Sequence, residues 1–201
     1  MQKRLSSGKN IIYPLIDEAQ ITARLEDLAA QINARYTGTK RLVVVGLLRG
    51  SFIFIADLVR LLEIPVEVDF MTVSSYGDDT ISSGDVRVRK DLDTSIADFD
   101  VMLVEDIIDT GNTLTKVLDL LKTRNPKSLS VCAMLDKPSR RQVAVNIDWS
   151  GFIIPNVFVV GYGIDCAQLD RNIPFIGYVK TEGDESGDLF NEEIEVLTGR
   201  P

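Results

Sequence analysis

The chain has 201 residues, 45% of them apolar, enough for one substantial core and consistent with a single domain over 1–201 or a domain with a small appendage. Its net charge of -8 lacks the surplus cations a general nucleic-acid binder needs, and no apolar run approaches the roughly 18 residues of a membrane span. The absence of histidine removes imidazole acid–base catalysis, Ser-His-Asp triads and the common zinc sites, so any metal here is expected to be a hard cation held by oxygens.

Along the chain, Ile21, Leu25, Leu28 and Ile32 repeat at helical spacing and predict an amphipathic helix over 17–36, ended by Tyr36-Thr37-Gly38. Leu42 to Gly46 is wholly apolar, like a strand buried on both faces. Residues 52–62 read as a helix and Val66 to Val73 as the next strand. Residues 74–93 are rich in Ser, Gly and Asp, too long for a plain loop, and read as a functional lid or a flexible β-ribbon. Val101 to Glu105 is a third strand, 106–112 a turn, and Leu114, Val117, Leu118 and Leu121 mark a helix. Ser128 to Leu135 and Val157 to Gly161 supply two more strands, and the acidic tail over 181–201 is expected to be loosely ordered. Alternating strands and helices predict an α/β fold, a mainly parallel twisted sheet flanked by helices, with a small hood from the terminal segments. The N-terminus carries basic residues without a long apolar stretch behind them, so no secretory signal is read and a cytoplasmic location is expected. Cys132 lies in an apolar run and Cys166 in a loop, with no disulfide framework.

The chemistry concentrates in residues 101–113, where a buried strand ends in Glu105 and Asp106. Ile107, Ile108, a third carboxylate at Asp109, and Thr110-Gly111-Asn112-Thr113 then lead into a helix. Ligands of such sheets lie beyond the carboxyl ends of the strands, and a helix N-terminus offers free N–H groups to a phosphate. Gly111 lets the backbone come close, and Thr110 and Thr113 can donate to phosphate oxygens. Glu105 and Asp106 offer acceptors to a sugar or to Mg²⁺. An ordinary capped strand–loop–helix turn explains any one of these residues, but not all of them in this order.

This segment resembles the phosphoribosyl-pyrophosphate signature of type I phosphoribosyltransferases, in the form of the hypoxanthine-guanine branch, and the likeness runs from about Leu42 to Val179. The resemblance implies a cytoplasmic purine-salvage enzyme. It would transfer phosphoribosyl from phosphoribosyl pyrophosphate to a 6-oxopurine, releasing pyrophosphate and giving IMP or GMP. Mg²⁺ would be the cofactor, and relatives are homodimers or homotetramers. Glu105 and Asp106 would face the ribose hydroxyls and Mg²⁺, Asp109 would be the general base at purine N7, and Asp109 to Thr113 would hold the 5′-phosphate.

Leu48-Arg49-Gly50 looks like the pyrophosphate loop, in which the peptide before Arg49 can be cis. Ser75 and Tyr76 open what resembles the lid. Lys137 would donate to O6 of the base, Phe158 would stack on it and the Val159 backbone would bond its edge. Asp165 would reach a second Mg²⁺ and Arg171 the pyrophosphate. Taken without the resemblance, Arg49 is equally a solvated turn residue, Tyr76 an incidental loop tyrosine, Lys137 part of a solvated basic loop and Val159 a core strand residue. Cys166 and Asp170 stand where bacterial relatives often have aromatic residues, which leaves the base preference open. Gly161-Tyr162-Gly163 lacks the third glycine of a dinucleotide fingerprint, and no glycine-rich P-loop occurs. Two alternatives remain at this point: a xanthine-preferring enzyme, and an RNA-binding regulator on the same fold, which the acidic charge disfavours.

Overall fold

A computed structural model describes residues 4–5, 11–75, 86–179 and 197–198. In chain order its elements are β1 (Arg4–Leu5), β2 (Ile11–Ile16), α1 (Glu18–Arg35), β3 (Leu42–Leu48), α2 (Phe52–Val59), β4 (Val66–Ser75) and β5 (Val86–Lys90). There follow β6 (Asp100–Ile108), α3 (Asn112–Lys122), β7 (Ser128–Asp136), β8 (Trp149–Ile153), β9 (Val159–Val160), β10 (Ile176–Val179) and β11 (Leu197–Thr198).

The main sheet has the order β11-β8-β7-β6-β3-β4-β5. Its five inner strands, β8 to β4, are mutually parallel, and β5 and β11 close the edges antiparallel. β3 is apolar throughout because both of its faces are covered. Leu42 and Val44 point toward α1 and α2, packing with Leu28, Ile32, Phe54 and Leu58. Val43 and Val45 join Leu114, Val117 and Leu121 of α3 on the other face. Full burial of each such side chain contributes about 1.5–3 kcal/mol. α1 begins with a reciprocal cap: Asp17 accepts from the Gln20 N–H at 2.8 Å, and the Gln20 side chain accepts from the Asp17 N–H at 2.9 Å. Buried Arg24 ties α1 to the sheet, donating to the carbonyls of Gly151 and Ser150 at 2.9 and 2.7 Å.

A second sheet, β1-β2-β10-β9, is the hood, drawn from both terminal regions. Ile12, Val160, Ile173 and Val179 form its own small core. Several boundaries differ from the sequence reading. β6 does not stop at Glu105 but runs to Ile108, because β7 pairs with it as far as Ile108 opposite Asp136. The expected strand over Val157 to Gly161 shrinks to Val159–Val160 and belongs to the hood. β2, β8 and β10 were not expected, being short segments without a sustained pattern. The described flanks of the 74–93 segment form an antiparallel ribbon, β4 with β5. Tyr76 and most of the acidic 181–201 tail lie outside the described residues, as does the Ser75 side chain.

Candidate active site

β3 and β6 are neighbours, but the chain leaves them in opposite directions, to β4 beyond β3 and to β7 beyond β6. Such a switch point opens a crevice at the carboxyl ends of the two strands. Leu48-Arg49-Gly50 leaves β3 there, and the Leu48–Arg49 peptide is cis. From β6, the Asp106 carboxylate lies against Gly50, so that a Cβ on Gly50 would collide with it. Gly163 closes on Gly50 from a third direction. Its φ of +101° is open to glycine, and a Cβ there would strike the Gly50 carbonyl. Three segments distant in sequence thus meet at one glycine.

Removal from water raises the proton affinity of Glu105 well above the usual carboxylate range, and the neighbouring Asp106 charge adds to it. Burial likewise pushes Asp106 up to about 6, against the lowering effect of its own N–H, that of Ile107 and Arg171. Glu105 Oε2 is buried without a hydrogen-bond partner among the described residues. Two adjacent carboxylates that resist ionisation, one with an orphaned oxygen, fit a hard cation arriving with its own ligands. Among the described residues, no three His, Cys, Asp or Glu side chains converge into a protein-only metal cage. Asp165, the third expected ligand, instead pairs with Arg171 at 2.7 Å.

The turn after β6 leads into a helix start. Gly111 caps α3 at φ +86° with no side-chain cap bond, so the first N–H groups of the helix receive no side-chain cap from that position. A Cβ on Gly111 would come within 2.8 Å of the Val143 carbonyl. The 140–143 segment braces this turn: the Gln142 and Val143 N–H groups donate to the Thr110 carbonyl at 2.9 and 3.2 Å. Asn112 Nδ2 donates to Gln142 Oε1 at 2.8 Å, and the Thr110 hydroxyl accepts from the Asn112 N–H at 3.4 Å. Thr113 stands in the first turn of α3. Ile108 is core, with its carbonyl accepting from the Lys137 N–H at 3.0 Å, while Ile107 is only partly buried.

Asp109 follows directly after β6, where Arg140 Nε donates to its Oδ1 at 3.2 Å. Its Oδ2 has no hydrogen-bond partner among the described residues. Lys137, at the end of β7, is buried, and its ammonium pairs with no carboxylate among the described residues. Desolvation lowers its pKa below the usual 10.5, with Asp109 opposing. The Phe158 ring is 52% exposed, open to stacking, whereas Val159 is buried in the core and offers only its backbone. Arg171 also donates to the Gly163 carbonyl at 2.9 Å. Gln168 accepts at one oxygen from Arg49 at 2.8 Å and from Arg171 at 3.2 Å, while its N–H donates to Asp165 at 2.8 Å.

The model of the phosphoribosyl transferase domain matches residues 16–166. The chain is 54% identical over 172 residues to a hypoxanthine phosphoribosyltransferase of Salmonella typhimurium, covering 85% of this chain and 97% of that one. It superimposes on the crystal structure of a hypoxanthine-guanine phosphoribosyltransferase from Bacillus anthracis with a TM-score of 0.80, at 45% identity, covering 84% and 98% of the two chains. A hypoxanthine phosphoribosyltransferase from Staphylococcus aureus gives a TM-score of 0.81 at 42% identity, covering 85% and 92%. The chain belongs to the phosphoribosyltransferase family. As in its phosphoribosyltransferase relatives of known structure, a central sheet is flanked by helices.

Two polar residues of this phosphoribosyltransferase escaped the sequence reading. Arg140 was visible only as part of a basic stretch after Lys137. Gln168 carried no signal at all, since its place depends on a tight loop in which Ala167, Gln168 and Asp170 all take positive φ. In the same loop Cys166 is half-buried, its N–H bonded to the Leu169 carbonyl at 3.1 Å. Cys132 is core, its thiol pushed up to about 12 by burial. A cleft of about 640 Å³ between α1, α2 and residues 172–174 holds none of the expected site residues. Among the described residues, no helix is long and apolar enough to cross a membrane.

Proposed function

We propose that the chain transfers the 5-phosphoribosyl group from phosphoribosyl pyrophosphate to N9 of hypoxanthine, and of guanine, in purine salvage. The observation that supports this reading is the meeting, at the switch point, of Asp106 with Gly50, next in sequence to Glu105 and near a helix start whose N-cap Gly111 offers no side chain, with a buried Lys137 that pairs with no carboxylate among the described residues. In the reaction the N9–C1′ bond forms, the bond from C1′ to the pyrophosphate oxygen breaks, and the purine loses the proton on N7.

The turn from Asp109 to Thr113 binds the 5′-phosphate through its N–H groups and hydroxyls. Glu105 and Asp106 accept from the ribose hydroxyls, and in their ionised form they stabilise the cationic ribose of the transition state. Asp109 takes the N7 proton on Oδ2 while Arg140 fixes Oδ1. Lys137 donates to O6, which selects a 6-oxopurine and rejects adenine, whose amine would face another donor. Phe158 stacks on the ring. Ser75 and Tyr76 belong to the lid that excludes water. Glu105, Asp106 and, after release from Arg171, Asp165 would hold Mg²⁺, which when bound neutralises the charge of the departing pyrophosphate. The site is expected to work in a cytoplasmic homodimer or homotetramer.

Steady-state turnover with phosphoribosyl pyrophosphate and each of hypoxanthine, guanine, xanthine, adenine and uracil tests the reading. Turnover is expected with the first two and to vanish on exhaustive chelation. Preference for xanthine or uracil would reassign the base, and full activity after chelation would remove the metal.

A further inference from the structure

Arg49 and Arg171 come from separate loops, one after β3 and one between β9 and β10, yet both donate to the same atom, Gln168 Oε1, at 2.8 and 3.2 Å. Like charges do not gather without an acceptor between them. A carboxylate is the usual choice, and Arg171 has one in Asp165 at 2.7 Å. Between the two guanidiniums themselves the structure places a neutral amide. That choice has a consequence. A second carboxylate at this point would cancel more of the positive charge, whereas an amide oxygen orders the two cations without adding to the negative charge of Asp165.

The backbone is shaped for this. Gln168 has φ +70°, a conformation uncommon for a residue with a side chain, and its N–H is fixed to Asp165 Oδ2 at 2.8 Å. Gln168 is itself exposed, so these bonds contribute little to the core. The loop is held against the crevice by the contact of Gly163 with Gly50 and by the Arg171 bond to the Gly163 carbonyl at 2.9 Å. The clamp therefore stands beside the Gly50–Asp106 contact.

We infer that Gln168 is a positioning residue for pyrophosphate, presetting Arg49 and Arg171 as a pair for the leaving group while staying neutral itself. This rests on the phosphoribosyl-transfer reading above. With the clamp intact the two arginines need less reordering when the anion arrives, since only the Asp165 pair with Arg171 has to open, which lowers the cost of binding. Each guanidinium can then turn its other N–H groups to phosphate oxygens.

The test is calorimetric binding of pyrophosphate with Mg²⁺ to the full-length parent, Gln168→Ala and Gln168→Glu, together with steady-state kinetics. Gln168→Ala is expected to weaken pyrophosphate about tenfold, the loss of one charge-assisted hydrogen-bond arrangement. It should raise the KM for phosphoribosyl pyrophosphate by more than it lowers kcat, with the KM for hypoxanthine moving less than about twofold. Gln168→Glu keeps the reach and the oxygen but adds charge, so it is expected to weaken pyrophosphate more than Gln168→Ala does. Pyrophosphate affinity in Gln168→Ala within twofold of the parent would overturn the role, as would Gln168→Glu binding as tightly as the parent. Loss of hypoxanthine affinity in step with pyrophosphate would mark a merely structural residue. If the parent itself binds no pyrophosphate and turns over no purine, the underlying reading fails instead, and the role with it.

Discussion

Asp109 stands one residue beyond β6, with one oxygen on Arg140 and the other free of hydrogen bonds among the described residues. In a chain without histidine it is the carboxylate best placed to take a proton from the purine. Asp109→Asn keeps the shape and loses the basicity, so kcat is expected to fall about 10²–10⁴-fold in single-turnover experiments, with phosphoribosyl pyrophosphate affinity changed much less. In the proposed reading Lys137 acts on the base alone. Lys137→Ala is expected to weaken hypoxanthine by about 1.5–3 kcal/mol and phosphoribosyl pyrophosphate little. Because burial lowers the Lys137 pKa, its proton leaves below the usual 10.5. The KM for hypoxanthine should therefore rise on the alkaline side before an ordinary lysine would titrate. Glu105 and Asp106 oppose folding when ionised. Their native pKa values lie above the unfolded ones, so the native state binds more protons and stability falls as pH rises; for Asp106 the window runs from 3.8 to about 6. Asp106→Asn is expected to raise the Tm of the metal-free protein at pH 7 while reducing turnover, which thermal melts across pH 4 to 8 would check.

At the scale of elements, the site is fixed by glycines and caps as much as by charged groups. Gly163→Ala puts a side chain at positive φ, costing about 1–2 kcal/mol, and drives it into the Gly50 carbonyl. It is expected to lower kcat/KM and the Tm together. Asp17→Ala, which removes the cap of α1, is expected to cost about 1 kcal/mol of stability in denaturant melts and leave both KM values in place. This contrast bears on what was legible in the sequence. α1, β3, α3 and β7 were readable because a long amphipathic period or a doubly buried apolar run shows itself within the element. The Glu105–Asp106 pair and the Asp109–Thr113 turn were readable as a candidate site because one contiguous segment holds them. β10 was not, since Ile176–Val179 is strand only by virtue of pairing with β2 and β9, neither of which announces itself. The same holds for Gln168, whose partners Arg49 and Arg171 come together only after folding. The end of β6 was misplaced for a related reason: two carboxylates look like a strand's exit, but pairing with β7 carries the strand past them.

In the whole molecule, two sheets share the work. The parallel sheet presents the Asp109–Thr113 turn, the carboxylates and Lys137, while the hood presents Val159 and, beside it, Phe158. Ile12→Ala empties part of the hood core and is expected to raise the KM for hypoxanthine more than that for phosphoribosyl pyrophosphate, at a stability cost of about 2–4 kcal/mol. The pairing of β2 with β10 joins residues 11–16 to 176–179, so the hood draws on both ends of the order in which the chain is made. On the ribosome, β3 to β8 are complete once Ile153 has emerged, and the parallel core with its phosphate turn has all of its inner strands by then. β2, made before β3, must wait unpaired with β10 until nearly all of the described chain has been synthesised. On the proposed reading, a nascent chain halted in between would hold the sugar-phosphate turn and Lys137 without Phe158, Val159 or the hood that carries them, so the stacking side of the base pocket would be acquired late.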